Sequence, residues 1–111
     1  MIATQALFVY VTCASQDEAG RIGRTMVEAR LAACANVMPT HNAIYRWEGK
    51  LTETAETALV LKTRSELLIH LIERIRGMHS YKLPCIVALP IVGGHAPFLD
   101  WIAEETGGNE A

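Results

Sequence analysis

Hydrophobic positions along the chain recur with two different periods, and the switches between them mark out the elements. Leu7-Phe8-Val9-Tyr10-Val11 is a continuous β-branched and aromatic run, which predicts a first strand buried on both faces. Ser15-Gln16-Asp17-Glu18 has the form of a capping box, the Ser15 hydroxyl accepting from an early backbone N–H while Glu18 reaches back. Behind it Ala19, Ile22, Met26, Ala29 and Ala33 follow one another at spacings suited to one face of a helix. Gly20 and Gly23 each weaken that helix by about 1 kcal/mol relative to Ala, which a close approach to a sheet would explain. From Asn36 to Trp47 the pattern turns extended, with Tyr45 and Trp47 on one face and Ile44 and Arg46 on the other. Glu48-Gly49-Lys50 is a turn in which Gly49 is free to take positive φ. The returning strand runs from Leu51 to Thr63 around the core segment Thr57-Ala58-Leu59-Val60-Leu61. Thr63 or Ser65 is placed to cap a second helix with the stripe Leu68, Leu71, Ile72 and Ile75, ending near Gly77. Pro84 and Pro90 bracket a last strand, Cys85 to Leu89. After a Gly93-Gly94 loop, Ala96 to Ile102 forms a short closing helix with Pro97 in its first turn.

The order is β-α-β-β-α-β with an added C-terminal helix, an α+β, ferredoxin-like arrangement with two helices on one face of an antiparallel sheet. It makes one domain over residues 1–106, followed by a tail at 107–111. Strands in this arrangement lie in the order fourth, first, third, second, so the second and fourth are edges. The second is unusually long and carries Tyr45 and Trp47, and a bare aromatic edge is an aggregation site. The hairpin Tyr45, Trp47, Glu48, Gly49 and Lys50 is therefore expected to meet a neighbouring subunit.

Composition narrows the function. Ten basic against twelve acidic residues, net charge −2, argue against a nucleic-acid partner, which calls for a basic face. Three widely spaced cysteines are no disulfide framework, and a reducing cytoplasm is the expected compartment. The apolar stretch Leu83 to Val92 is too short to span a membrane, and no positive residue precedes the N-terminal apolar run as in a signal peptide. An acylphosphatase-like site would need a glycine-bearing phosphate cradle with an arginine, and Thr12-Cys13-Ala14-Ser15 has neither. Cys13, just before a helix start, is the one candidate nucleophile, so a non-enzymatic role is expected.

Among the candidate metal ligands, Cys13, Cys34, Cys85, His41, His70, His79 and His95, none forms a Cys-x-x-Cys or His-Glu-x-x-His pair. Topology places Cys13, His79 and Cys85 at one end of the subunit and Cys34 at the other. Two thiolates and an imidazole suit Cu(I) or Zn²⁺. The competing reading makes Cys13 and Cys85 small buried hydrophobes and His79 a helix-end cation. Cys34 reads as packing, and His41, His70 and His95 as surface residues.

Ala29-Arg30-Leu31-Ala32-Ala33-Cys34-Ala35-Asn36, Tyr45-Arg46-Trp47-Glu48-Gly49-Lys50, Lys62-Thr63-Arg64, His79-Ser80-Tyr81, Ala88-Leu89-Pro90 and Phe98-Leu99-Asp100-Trp101-Ile102 together resemble the CutA divalent-cation tolerance family. The resemblance runs through nearly the whole chain. It implies a cytoplasmic homotrimer, architecturally similar to the PII signalling proteins, with a role in tolerance of copper and other divalent cations. It also implies His79 as a metal-associated histidine. Met78 stands where some members have a further histidine and offers a soft Cu(I) ion a thioether, and Ser80 stands where most have proline. Similarity to PII proteins implies an alternative, a small ligand in the clefts between subunits, with Tyr45, Trp47, Lys50, Lys62 and Arg64 placed to receive an anion.

Overall fold

A computed structural model describes residues 4–107. Its elements are β1 (Ala6–Cys13), α1 (Gln16–Glu28), β2 (Cys34–Trp47), β3 (Lys50–Arg64), α2 (Leu68–Arg76), β4 (Ile86–Pro90) and α3 (Ala96–Glu105), with a 3₁₀ turn at Ser65–Leu67. The four strands form one antiparallel sheet in the order β2-β3-β1-β4, leaving β2 and β4 as edges. This is the ferredoxin-like arrangement with the extra C-terminal helix.

The first strand departs from the expectation of burial on both faces. Leu7, Val9, Val11 and Cys13 are buried while Phe8, Tyr10 and Thr12 are half-buried. The helices cover only one face, so alternate residues enter the core and the others look onto the open face. Ile22 and Met26 of α1, Leu71 and Ile75 of α2, and Leu59 and Leu61 of β3 complete that core. A second cluster, Ala6, Ala33 and Ile102, anchors α3.

Ser15 caps α1 by accepting from the Glu18 N–H at 3.1 Å, but Glu18 reaches one residue past it, to the Ala14 N–H at 2.8 Å. The helix ends earlier than the stripe to Ala33 implied, at Glu28, and Arg30 closes it in the left-handed region at φ 59°. A Cβ on Gly23 would stand 2.9 Å from Ala35 Cβ and 3.3 Å from Leu59 Cδ1, so this glycine is the close approach to the sheet. Gly20 is not, since a Cβ there would meet only the flexible end of Arg24.

Neither Thr63 nor Ser65 caps α2 with its side chain. Thr63 is the penultimate residue of β3, and its hydroxyl donates to the Leu31 carbonyl at 2.7 Å, fastening the end of β3 to the α1–β2 connection. The β2–β3 hairpin turns on Glu48 at φ 51° and Gly49 at φ 80°, a two-residue turn with both residues left-handed. Pairing continues outward to Trp47 opposite Lys50, which stretches the molecule to 50 Å against 25 and 23 Å across.

A register shift between Val37 and Thr40 decides which side chains the hairpin offers. Val37 opposes Leu59 on the helix-covered face, and the extra residue flips the parity beyond it. His41, Ala43, Tyr45 and Trp47 consequently share the open face with Glu56, Tyr10 and Thr12. Pro39 sits in this irregularity on an edge strand, a position that needs no ladder donor. Cys85 precedes β4 rather than opening it, although its carbonyl still accepts from the Thr12 N–H. Helix α3 runs three residues beyond Ile102, and Gly107 follows it at φ 78°; the remainder of the expected tail, 108–111, lies outside the described residues.

Candidate functional site: a latch and an open cleft

Two groups of polar residues lie on opposite faces at the same end of the sheet. The first forms where β1 ends, α1 begins and the chain leaves α2. Cys13, Glu18 and His79 each bring one ligand atom there, all within 4.8 Å of one another. Both Glu18 carboxylate oxygens accept backbone N–H groups, from Ala14 at 2.8 Å and Ser80 at 2.8 Å. The enclosed His79 ring has Nε2 2.8 Å from the Thr12 carbonyl and accepts the Tyr81 N–H on Nδ1 at 3.0 Å. A carbonyl only accepts and an amide N–H only donates, so the ring carries its proton on Nε2. The 4.0 Å approach of Nδ1 to Glu18 is thus a neighbourly contact rather than an ion pair.

Electrostatics fit this picture. Burial opposes ionisation of Glu18, but the Ala14 and Ser80 bonds outweigh it and hold the carboxyl below its usual range. Burial, reinforced by the Glu18 and Glu56 charges, pushes the Cys13 thiol up to about 12. At neutral pH the free thiol therefore keeps its proton and is not a nucleophile.

The donor types suit a soft or borderline ion, but their state does not. Both Glu18 oxygens and both His79 nitrogens are occupied by backbone groups. A metal would have to dismantle these bonds, so the cluster does not fit a resident ion. It is a latch that ties residues 79–81 across the end of β1.

Cys85 does not join this group. It follows the β1–β4 register opposite Thr12, and side chains directly opposed in an antiparallel pair share a face, so it lies on the face away from Cys13. Met78 packs against the core. Cys34, at the other end, takes the Lys62 ammonium at 3.8 Å, with Asn36 Oδ1 at 2.9 Å from the same nitrogen. His70 and His95 are exposed, whereas His41 is half-buried on the open face beside its cross-strand partner Glu56.

The second group is a cleft of about 710 Å³ on that open face. Tyr10, Thr12, Tyr45, Trp47, Tyr81 and Cys85 line it, with Glu56 and His41 on its floor and Arg46 and Lys82 exposed at its rim. Tyr45 and Trp47 remain 37% and 45% exposed, so they do not fold back fully on the subunit. Lys50, Lys62 and Arg64, expected to receive an anion at a cleft between subunits, are not among the residues that line this cleft within the subunit. Arg64 instead clamps the end of α3 through Thr106. Sequence reasoning missed Glu56, only 7% exposed, because a lone glutamate in a strand of alternating Thr and Glu looks like a solvated face. Burial, then hydrogen bonding to Glu56, push the Tyr81 phenol up to about 12.

The chain is thus a ferredoxin-like domain whose open sheet face holds this cleft beside a long edge hairpin. The family described as CutA1 divalent ion tolerance protein matches residues 7–105, and the chain belongs to it. The divalent-cation tolerance protein CutA of Archaeoglobus fulgidus is 44% identical over 97 residues, spanning 87% of this chain and 94% of its own. The solved structure of the divalent cation tolerance protein of Thermus thermophilus superposes with a TM-score of 0.90 at 42% identity, covering 92% of this chain and 99% of that one. The Archaeoglobus structure, described as periplasmic, gives 0.88 at 42% identity over 91% of this chain and 98% of its own.

Proposed function

We propose that this divalent-cation tolerance protein works as a homotrimeric binding module, not an enzyme, whose working surface is the cleft beside the hairpin. The observation that carries this is the pairing of an aromatic cleft containing a buried carboxyl with a latch that holds Tyr81 in it. Exposed apolar side chains run along both edges of the sheet: Ile44, Tyr45 and Trp47 on β2, Val87 and Leu89 on β4. An edge meeting a different edge makes a head-to-tail contact, which forms a ring where the rotation closes, and the family resemblance supplies the threefold. Tyr45, Trp47, Glu48, Gly49 and Lys50 form the projecting part of that interface, and the odd number of free thiols favours a reducing cytoplasm. No helix among the described residues is long and apolar enough to cross a membrane. Light scattering at micromolar protomer concentration is expected to give a trimer, and Tyr45→Asp with Trp47→Asp a folded monomer. A monomeric parent chain would overturn the assembly.

A second reading keeps metal as the direct ligand. It is favoured by the approach of Cys13, Glu18 and His79 within 4.8 Å, with Cys85 or Met78 recruited by rearrangement and copper or another divalent cation as the ion. That reading requires the latch to open on loading. Amide exchange at Ser80 and Tyr81 would then accelerate with copper, and unchanged protection would exclude it.

A further inference from the structure

The latch and the open sheet face share three consecutive residues, His79, Ser80 and Tyr81. The chain leaves α2 at Gly77 on the helix-covered side and passes round the end of β1 before β4 begins at Ile86. His79 turns inward on the way, its side chain wholly enclosed. Tyr81 turns to the opposite face and stands beside Tyr10, Tyr45, Trp47 and Glu56. Among the described residues no backbone–backbone hydrogen bond reaches 79–81, so latch side chains alone supply the ties.

One imidazole carries most of this. The N–H and C=O of a strand residue point to the same side, and the Thr12 N–H donates to the Cys85 carbonyl. The Thr12 carbonyl therefore faces the β4 side where β4 has not yet begun, and the His79 Nε2–H donates to it at 2.8 Å. The other ring nitrogen accepts the Tyr81 N–H at 3.0 Å, and the two rings tilt against each other with centroids 5.0 Å apart. Tyr81 is thus pinned from the helix side into the surface that carries the exposed hairpin aromatics Tyr45 and Trp47. Were it released, association would first have to order residues 79–81 again, and affinity would fall with the fraction of chains in the competent arrangement. Resting on the homotrimer reading above, we propose that His79 is a positioning residue for assembly: its Nδ1 holds Tyr81 on the open face as part of the surface that receives a second copy of this chain.

Two substitutions at one position separate this role from a merely structural one. His79→Asn keeps an acceptor near the place of Nδ1 for the N–H two residues on, as in an Asx-turn, and loses the donor to Thr12. His79→Gln keeps an amide N–H within reach of the Thr12 carbonyl and loses the acceptor for Tyr81. Each gives up one hydrogen bond, so stability of the chain does not rank them. Unlabelled and ¹⁵N-labelled protein are mixed, and subunit exchange is followed by native mass spectrometry after incubation in urea. The urea concentration is one at which the parent exchanges within hours and every chain keeps its far-UV circular dichroism. His79→Gln is expected to exchange about fivefold faster than the parent or more, and His79→Asn within about twofold of it. In a Tyr81→Ala background the two should exchange at the same rate. Equal rates for His79→Gln and the parent, or His79→Asn as fast as His79→Gln, would overturn the positioning role while keeping the trimer. A difference that persists in full with Tyr81→Ala would overturn it too, since the effect would not pass through Tyr81. A parent chain that runs as a monomer would instead refute the assembly reading beneath it.

Discussion

Glu18→Gln probes the latch with almost no change of shape. The carboxylate accepts one backbone N–H on each oxygen, from Ala14 and Ser80, and the group is 4% exposed. An amide keeps one accepting oxygen and turns an NH₂ toward the other donor, so one buried N–H is orphaned and faces a second donor. Loss of a charge-assisted bond of this kind costs about 1.5–3 kcal/mol. The Glu18 carboxyl is held below its ordinary value of 4.5 in the folded chain. A depressed carboxyl contributes stability that is complete above its unfolded value and disappears as pH falls through its folded value. In urea titrations at equal protomer concentration, the variant should therefore unfold well before the parent at pH 7 with an unchanged slope, and the gap should narrow as pH falls below the ordinary carboxyl value of 4.5. Amide exchange should quicken at Ala14 and Ser80 and stay constant in the β2–β3 hairpin. Equal midpoints at pH 7, or a gap that persists or widens in acid, would refute the assignment of the two bonds to an ionised Glu18.

Other substitutions test the packing. Gly23→Ala should destabilise by about 1 kcal/mol or more, because overpacking against Ala35 and Leu59 exceeds the helix gain, while Gly20→Ala should stabilise by about 0.5–1 kcal/mol. Thermal melts that rank the two the other way would contradict the α1–sheet contact. Glu48→Asn should raise stability by about 0.5 kcal/mol in the same melts, since Asn tolerates the left-handed first position of the hairpin turn better than Glu. Cys13, buried and pushed up to about 12, should resist maleimide at pH 8 in the native protein and react only on unfolding.

The element order, the strand order and the turn were legible because each rests on local signals: period, capping residues and glycine punctuation. The parity of the hairpin was not. Pro39 inside a strand pattern hinted at the bulge, but only the pairing register shows that one extra residue turns Tyr45 and Trp47 toward Tyr10 and Glu56. Topology set Cys13, His79 and Cys85 at one end, where they lie, but the face Cys85 takes follows from the β1–β4 register, which puts it opposite Thr12 and away from Cys13. Glu18 was recognised as a cap, and its second bond, to Ser80, needed a contact across 62 residues. Glu56 carried no signal at all, because nothing in a strand of Thr and Glu residues marks which carboxyl is buried.

The proposal that the Cys13–Glu18–His79 group closes the fold and the cleft does the binding is tested most directly by native mass spectrometry of the reduced protein with one equivalent of Cu(I) per subunit. The expected result is an assembly of about 37 kDa, three times the 12.2 kDa chain, with no copper retained at the latch, so that Cys13→Ser and His79→Gln leave metal uptake unchanged. Three tightly held copper ions that are lost in those two variants would contradict it, making the latch a metal centre.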